Sequence, residues 1–213
     1  MKSTVFELHF PKNAPNRMVE TDVKFLIPTL RAYAIEYSEF KFRGGFNDHK
    51  ELVEGKGYDL VEDGLIWHGF FEPTFSEDYY RLVIHYHGIK DYEALFPNVA
   101  DKNLRTRLGQ FYQEVETNFD NAGWLSYALM CGALYEGLLY SHLGKNLEFE
   151  KLIGRALTRE LIDSKTASIM HTTRELRNLV HASRCVEPYV TRAQAMDMRS
   201  TMDRLIQNAS GWS

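Results

Sequence analysis

Apolar residues recur along this chain with two different periods, and the change falls near residue 95. Before it, Val5-Phe6-Glu7-Leu8-His9-Phe10, Gly64-Leu65-Ile66-Trp67-His68-Gly69-Phe70-Phe71 and Tyr79-Tyr80-Arg81-Leu82-Val83-Ile84-His85-Tyr86-His87 are short runs rich in aromatic and β-branched residues. Pro, Gly and Asp bound them, which predicts strands. The stretch Asp22 to Tyr37 fits a strand or a helix equally. Together these residues predict a small mixed sheet, packed against the C-terminal part of the chain, with the junction near Phe96-Pro97-Asn98.

Beyond the junction the period is helical. Asp101 can cap a helix that carries Leu104, Leu108, Phe111, Tyr112 and Val115. A second stretch, from about Asn121, holds Trp124, Leu125, Ala128, Leu129, Leu134, Leu138 and Leu139 and stops at Gly144. It is apolar on nearly every side, so it belongs at the centre of a bundle, and Gly123, Gly132 and Gly137 permit close approach. Asn146 can open a third helix with Phe149, Leu152, Ile153, Ala156 and Leu161 inward. A fourth begins after Ser164, from about Lys165 to Arg184, and Pro188 forbids its continuation. Thr191-Arg192-Ala193-Gln194 has the form of a capping box and opens a last helix with Met198, Met202, Leu205 and Ile206 inward. The expectation is an α+β chain: a β-containing region over residues 1–95 and four or five antiparallel helices over 96–213.

The fourth helix carries the candidate chemistry. At 100° per residue, Arg174, Arg177, Asn178 and His181 fall within an arc of roughly 100°. Ile169, Leu176, Leu179, Val180 and Ser183 cluster opposite, so the quartet is expected to face away from its own core. Ala167 and Met170 extend that outward face with small or adaptable groups and suit it to a second copy of the chain. His171, about one turn before Arg174, stands beside it as a second proton-transfer or substrate-binding group. Guanidinium, amide and imidazole groups together suit phosphate, although a solvated helix face has the same spacing.

The run Arg174-Glu175-Leu176-Arg177-Asn178-Leu179-Val180-His181 resembles the Arg-x4-6-His signature of HEPN (higher eukaryotes and prokaryotes nucleotide-binding) domains. Leu95-Phe96-Pro97, Tyr112-Gln113-Glu114, Ala128-Leu129-Met130-Cys131-Gly132-Ala133-Leu134-Tyr135-Glu136 and Phe149-Glu150-Lys151-Leu152-Ile153 are similar in order to a widespread bacterial HEPN-like family of unknown function. The likeness covers about residues 95 to 208. It implies a helical bundle that pairs the Arg and His of two protomers and cleaves RNA without metal or other cofactor. On this resemblance His181 is the general acid or base, Arg174 binds phosphate, and Asn178 orients His181 or substrate. Arg177 is the alternative owner of the arginine role. The position after Arg174 is Glu175, where active members of the family commonly carry Asn, Asp or His; counting from Arg177-Asn178 leaves three residues before His181. A zinc ribbon of the CxxC type, frequent before the helices in that family, is not in this sequence. The superfamily implies a toxin or anti-phage defence setting, with RNA, a second copy and a regulatory protein as expected partners. A non-catalytic module that dimerises or binds nucleotide or protein is the alternative.

Composition narrows the range of functions. With 44% apolar and 13% aromatic residues the chain can bury a core, which excludes a disordered protein. Residues 1–100 carry 11 basic and 16 acidic side chains and residues 101–213 carry 14 and 13, so the net −4 resides in the first half. Any contact with a polyanion is therefore local and belongs to the second half. The two cysteines, Cys131 and Cys185, lack metal-ligand spacing, and no secretory leader or apolar run of about 20 residues is evident, so a cytoplasmic protein without membrane contact is expected. His68, His85 and His87 raise a third reading, a transition-metal site on one sheet face. Glu62-Asp63 and Glu77-Asp78 are read as turn residues.

Overall fold

Alternation with period two builds the first part of the chain. The computed structural model describes residues 1–9, 19–44, 48–71, 80–144, 147–209 and 212, and it divides into two compact units, Met1–Ala94 and Leu95–Ser213. The described strands of the first unit are β1 (Lys2–Leu8), β2 (Val19–Leu26), β3 (Tyr33–Gly44), β4 (Asp48–Val53), β5 (Tyr58–Val61), β6 (Gly64–Phe71) and β7 (Tyr80–Ile89). They form a four-stranded sheet in the order β1-β7-β3-β4 and a three-stranded sheet in the order β2-β6-β5. Every pair of described strands is antiparallel, which corrects the expectation of a mixed sheet. Parallel neighbours need a long crossover, usually a helix, and among the described residues only the 3-10 turn Leu30–Ala32 interrupts the strands. The ambiguous Asp22–Tyr37 stretch becomes the end of β2, that turn and the start of β3. Phe10, Glu77, Asp78 and Tyr79 lie outside the described residues.

The two sheets share one aromatic core. On β7, Tyr80, Leu82, Ile84 and Tyr86 are buried while Arg81, Val83 and His85 between them are not. Phe40 of β3 has no exposure and touches rings from both sheets, with centroids at 6.0 Å to Phe25, 5.6 Å to Tyr58, 6.2 Å to Trp67 and 6.4 Å to Tyr80.

On the outer face of the smaller sheet, His68 of the central strand bridges both neighbours. Its Nδ1 lies 2.7 Å from Asp22 on β2 and its Nε2 lies 2.9 Å from Asp59 on β5. Two carboxylate partners require both ring nitrogens to donate, a condition only the imidazolium meets. The bond to Asp22 first, then that to Asp59, holds the His68 pKa above its ordinary value. A raised folded-state pKa adds stability that is complete below the unfolded value of about 6.5 and is lost as pH rises through the folded value. We therefore expect unfolding of the first unit to become easier as pH rises above about 6.5, and His68→Gln to flatten that slope. Urea midpoints of the two proteins between pH 5.5 and 8.5 check this, and parallel slopes would refute it.

The second unit consists of α1 (Lys102–Asp120), α2 (Trp124–Leu143), α3 (Phe149–Thr158), α4 (Ser164–Leu176) and α5 (Arg192–Ala209). Asp101 caps α1 by accepting from the N–H groups of Asn103 and Leu104. Thr191 and Gln194 complete the capping box of α5: the Thr191 N–H donates to Gln194 Oε1 at 2.9 Å, and the Gln194 N–H donates to Thr191 Oγ1 at 3.3 Å. Ser126 is the one exposed residue along α2, which touches each of the other four helices. That is the environment its all-round apolar sequence requires. The helix stops at Gly144, whose φ of 92° with ψ of 171° is open to glycine alone. Asn146 lies outside the described residues; the residue before α3 is Glu148, which makes no side-chain cap. Cross-ties fix α5: Tyr135 Oη donates to the Met198 carbonyl at 2.6 Å, and Arg199 meets Glu116 at 3.2 Å and lies 4.4 Å from the centroid of Phe119. No helix among the described residues is long and apolar enough to cross a membrane.

Candidate functional site

The motif segment begins at the N-terminus of α4, where the Asp163 carboxylate accepts from Thr166 N–H at 2.7 Å. Four residues of this helix are buried, Thr166, Ala167, Met170 and Thr173, and they define its core-facing stripe. The stripe overturns the expected orientation. Ala167 and Met170 are 4% and 0% exposed within their own chain, so they are not a contact surface for a second copy. Val180, expected inside, is 50% exposed, and Ser183 is exposed. Ile169, Leu176 and Leu179 are half-buried. Thr173 takes a core position because its hydroxyl donates to the Ile169 carbonyl at 2.8 Å, which satisfies the polar atom within the helix.

The helix also ends earlier than expected. It stops at Leu176, tightens into a 3-10 turn over Arg177–Val180, and reaches His181 in extended conformation with φ −79° and ψ 129°. A second 3-10 turn covers Ala182–Arg184. No residue from Arg174 to Tyr189 is fully buried. Helix persistence in a protein rests on packing of an apolar face, and here that face runs out at Thr173. The four motif side chains therefore do not stand on one helical face.

The structure brings Arg174 and Arg177 onto neighbouring helices. On the helical wheel Arg177 continues the stripe of Met170 and Thr173, and its stem lies across α2 at Gly132. A Cβ at position 132 would fall 2.4 Å from Arg177 Cδ, so any other residue there would force the Arg177 side chain to shift. The guanidinium ends 3.1 Å from Glu136 and 5.9 Å from the ring centroid of Phe149. Arg174 Nη1 lies 2.7 Å from Glu150 on α3, while its Nε is buried without a hydrogen-bond partner. Phe149 and Glu150 thus receive the two arginines side by side in the first turn of α3. Sequence reasoning missed Glu136 and Glu150 as partners. The signal available was an opposite charge on each helix flanking α4, with nothing to pair it to a given arginine.

His181 and Asn178 are exposed, and the backbone links them: the His181 N–H donates to the Asn178 carbonyl at 3.1 Å. His171 is half-buried on α4. Cys185 is exposed, whereas Cys131 is buried and burial pushes its thiol pKa well up. A cavity of about 460 Å³ opens at the far end of α4, lined by Leu157, Asp163, Thr166 and Arg204 among others; it contains none of the motif residues.

The three histidines of the metal-site reading do not converge. His68 belongs to the β2-β6-β5 sheet and His85 and His87 to the other. His85 is held by Ser3 at 2.8 Å and Glu39 at 3.1 Å and stacks on Tyr37 at 4.1 Å, and His87 lies 2.7 Å from Glu36. Among the described residues no group of three or more His, Cys, Asp or Glu side chains is arranged to hold a metal ion. Compared with known proteins, the chain matches no family model, no characterised protein and no solved structure.

Proposed function

We propose that the helical unit is an RNA-acting module of the HEPN type, a metal-independent endoribonuclease in which His181 transfers the proton and Arg174 and Arg177 bind phosphate. The observation that carries this reading is the Arg174–His181 segment itself, where two guanidiniums and an open imidazole leave one short stretch with no core role for the imidazole. Cleavage by the 2′-hydroxyl needs a base, help for the departing 5′-oxygen and positive charge on the phosphate, and these groups supply all three in kind. A second copy completes the site. The surface for it is the exposed stretch after the helix, where Val180, Val186 and Tyr189 are 50%, 89% and 64% exposed.

The non-catalytic alternative rests on a separate observation, that both arginines already hold a carboxylate and so have a structural role. Incubating the purified protein with total RNA in EDTA separates the two. The expected result is cleavage unaffected by chelator, products ending in 2′,3′-cyclic phosphate, and no reaction where the cleaved nucleotide is deoxy. Intact RNA under these conditions would refute the nuclease reading. Cleavage that requires added metal would remove His181 from its role.

A further inference from the structure

The two arginines are occupied, and the way they are occupied selects what can displace their partners. Each guanidinium meets its carboxylate through one nitrogen, Arg174 to Glu150 at 2.7 Å and Arg177 to Glu136 at 3.1 Å. Neither pair is deep: the side chains are 36% and 59% exposed in the first and 32% and 40% in the second. Ion pairs of this kind contribute little net stability because water screens them. A phosphate group that accepts two parallel N–H bonds from one guanidinium fork makes a contact that neither carboxylate makes in this geometry.

We propose that Glu136 and Glu150 are specificity-determining residues that occupy the phosphate positions of Arg177 and Arg174, so that the site admits a strand presenting two neighbouring phosphates and refuses a single one. This rests on the RNA-acting reading of the same segment. The two carboxylates come from different helices, α2 and α3, and each is fixed close to its arginine, so each competes at a high local concentration that a free monophosphate cannot match. A strand that engages both arginines at once meets them as one ligand, because the two guanidiniums end beside consecutive residues of α3, Arg177 over Phe149 and Arg174 on Glu150. Displacing one carboxylate delivers the strand to the second arginine, and the second exchange becomes intramolecular. The Arg177 stem passes over Gly132 on α2 and its guanidinium lies over the Phe149 ring, so a change of partner needs only a shift of the tip.

The test measures binding of a five-nucleotide single-stranded RNA and of inorganic phosphate to the full chain, with Glu136→Gln/Glu150→Gln against the wild type. Glu148→Gln is the control for Glu150→Gln, since each removes one charge beside α3, here from an 80% exposed residue paired with Lys151. The double variant is expected to bind the RNA about three- to tenfold more tightly than the wild type, the range that two part-exposed ion pairs support, and to gain measurable phosphate binding. Glu150→Gln alone, at the more exposed carboxylate, is expected to give about half of that gain on a logarithmic scale and guards against misfolding of the double variant. RNA binding by the double variant no tighter than that of the wild type, or a gain in Glu150→Gln no larger than that in Glu148→Gln, overturns the proposal and leaves the RNA reading standing. Tighter binding in the double variant with no cleavage by any protein sustains the proposal and refutes the nuclease. Absence of RNA binding in every variant overturns both.

Discussion

Replacing His181 with alanine is expected to lower RNA cleavage by about 10²- to 10⁴-fold, the usual worth of general acid–base assistance. The loss should fall on chemistry alone. His181 is exposed, it lies in extended backbone between two 3-10 turns, and its hydrogen bond to Asn178 is made by the backbone N–H, which alanine retains. The variant should therefore show the thermal transition of the wild type and bind the same RNA, while products with cyclic phosphate ends disappear. Arg174→Ala and Arg177→Ala differ in kind, since each also leaves a carboxylate on a neighbouring helix without its cation. Equal cleavage by wild type and His181→Ala would transfer the protein to the non-catalytic alternative.

Phe40→Ala is expected to destabilise the first unit by about 3–5 kcal/mol, the cost of removing a large core aromatic. Phe40 has no exposure, and its ring meets Phe25, Tyr58 and Trp67 of the smaller sheet as well as Phe42 and Tyr80 of its own. The cavity would open where the two sheets share their core, so collapse on one side cannot fill it. Domains are stable by about 5–15 kcal/mol, so the variant should sit near the edge of folding. Urea unfolding monitored through Trp67, with Trp124 and Trp212 changed to phenylalanine in both proteins, measures the effect. Val53→Ala, at a side chain 63% exposed, serves as the comparison and should move the midpoint little. A Phe40→Ala midpoint as close to the parent as that of Val53→Ala would refute the shared core.

Much of the fold was legible because its signals are local. Asp101 before a helical period, the Thr191–Gln194 reciprocal cap and the alternation along β7 each involve residues within one element. The all-round apolar sequence of α2 announced its surroundings for the same reason. The orientation of α4 was not legible, because its core stripe contains Thr166 and Thr173, which a polarity pattern counts as outward. The hydroxyl of Thr173 is satisfied by the preceding turn, and that bond is visible only once the helix exists. The end of α4 left no mark either. No Gly or Pro stands near Leu176, and the helix stops where burial stops. The pairs of Arg174 with Glu150 and Arg177 with Glu136 span 24 and 41 residues, distances over which charge alone names no partner. Sheet direction was misjudged for a related reason, since strand runs show that strands exist and say little about how they are ordered.

The unburied run after Thr173 has a thermodynamic consequence. Residues held by few buried contacts retain much of their conformational entropy in the native state, so their backbone amides should open to solvent at low free energy while those of α2 open only with the whole unit. Whatever orders the run from Arg177 to Tyr189 must offset that retained entropy before any contact registers as affinity, at about 1–2 kcal/mol for each backbone residue fully fixed. A ligand or second copy that touches the run at one point gains little, and one that orders several residues together meets the same loss with more contacts. Binding there should accordingly be modest in affinity for its area, strongly enthalpic, and accompanied by slowed amide exchange along the run and little change elsewhere.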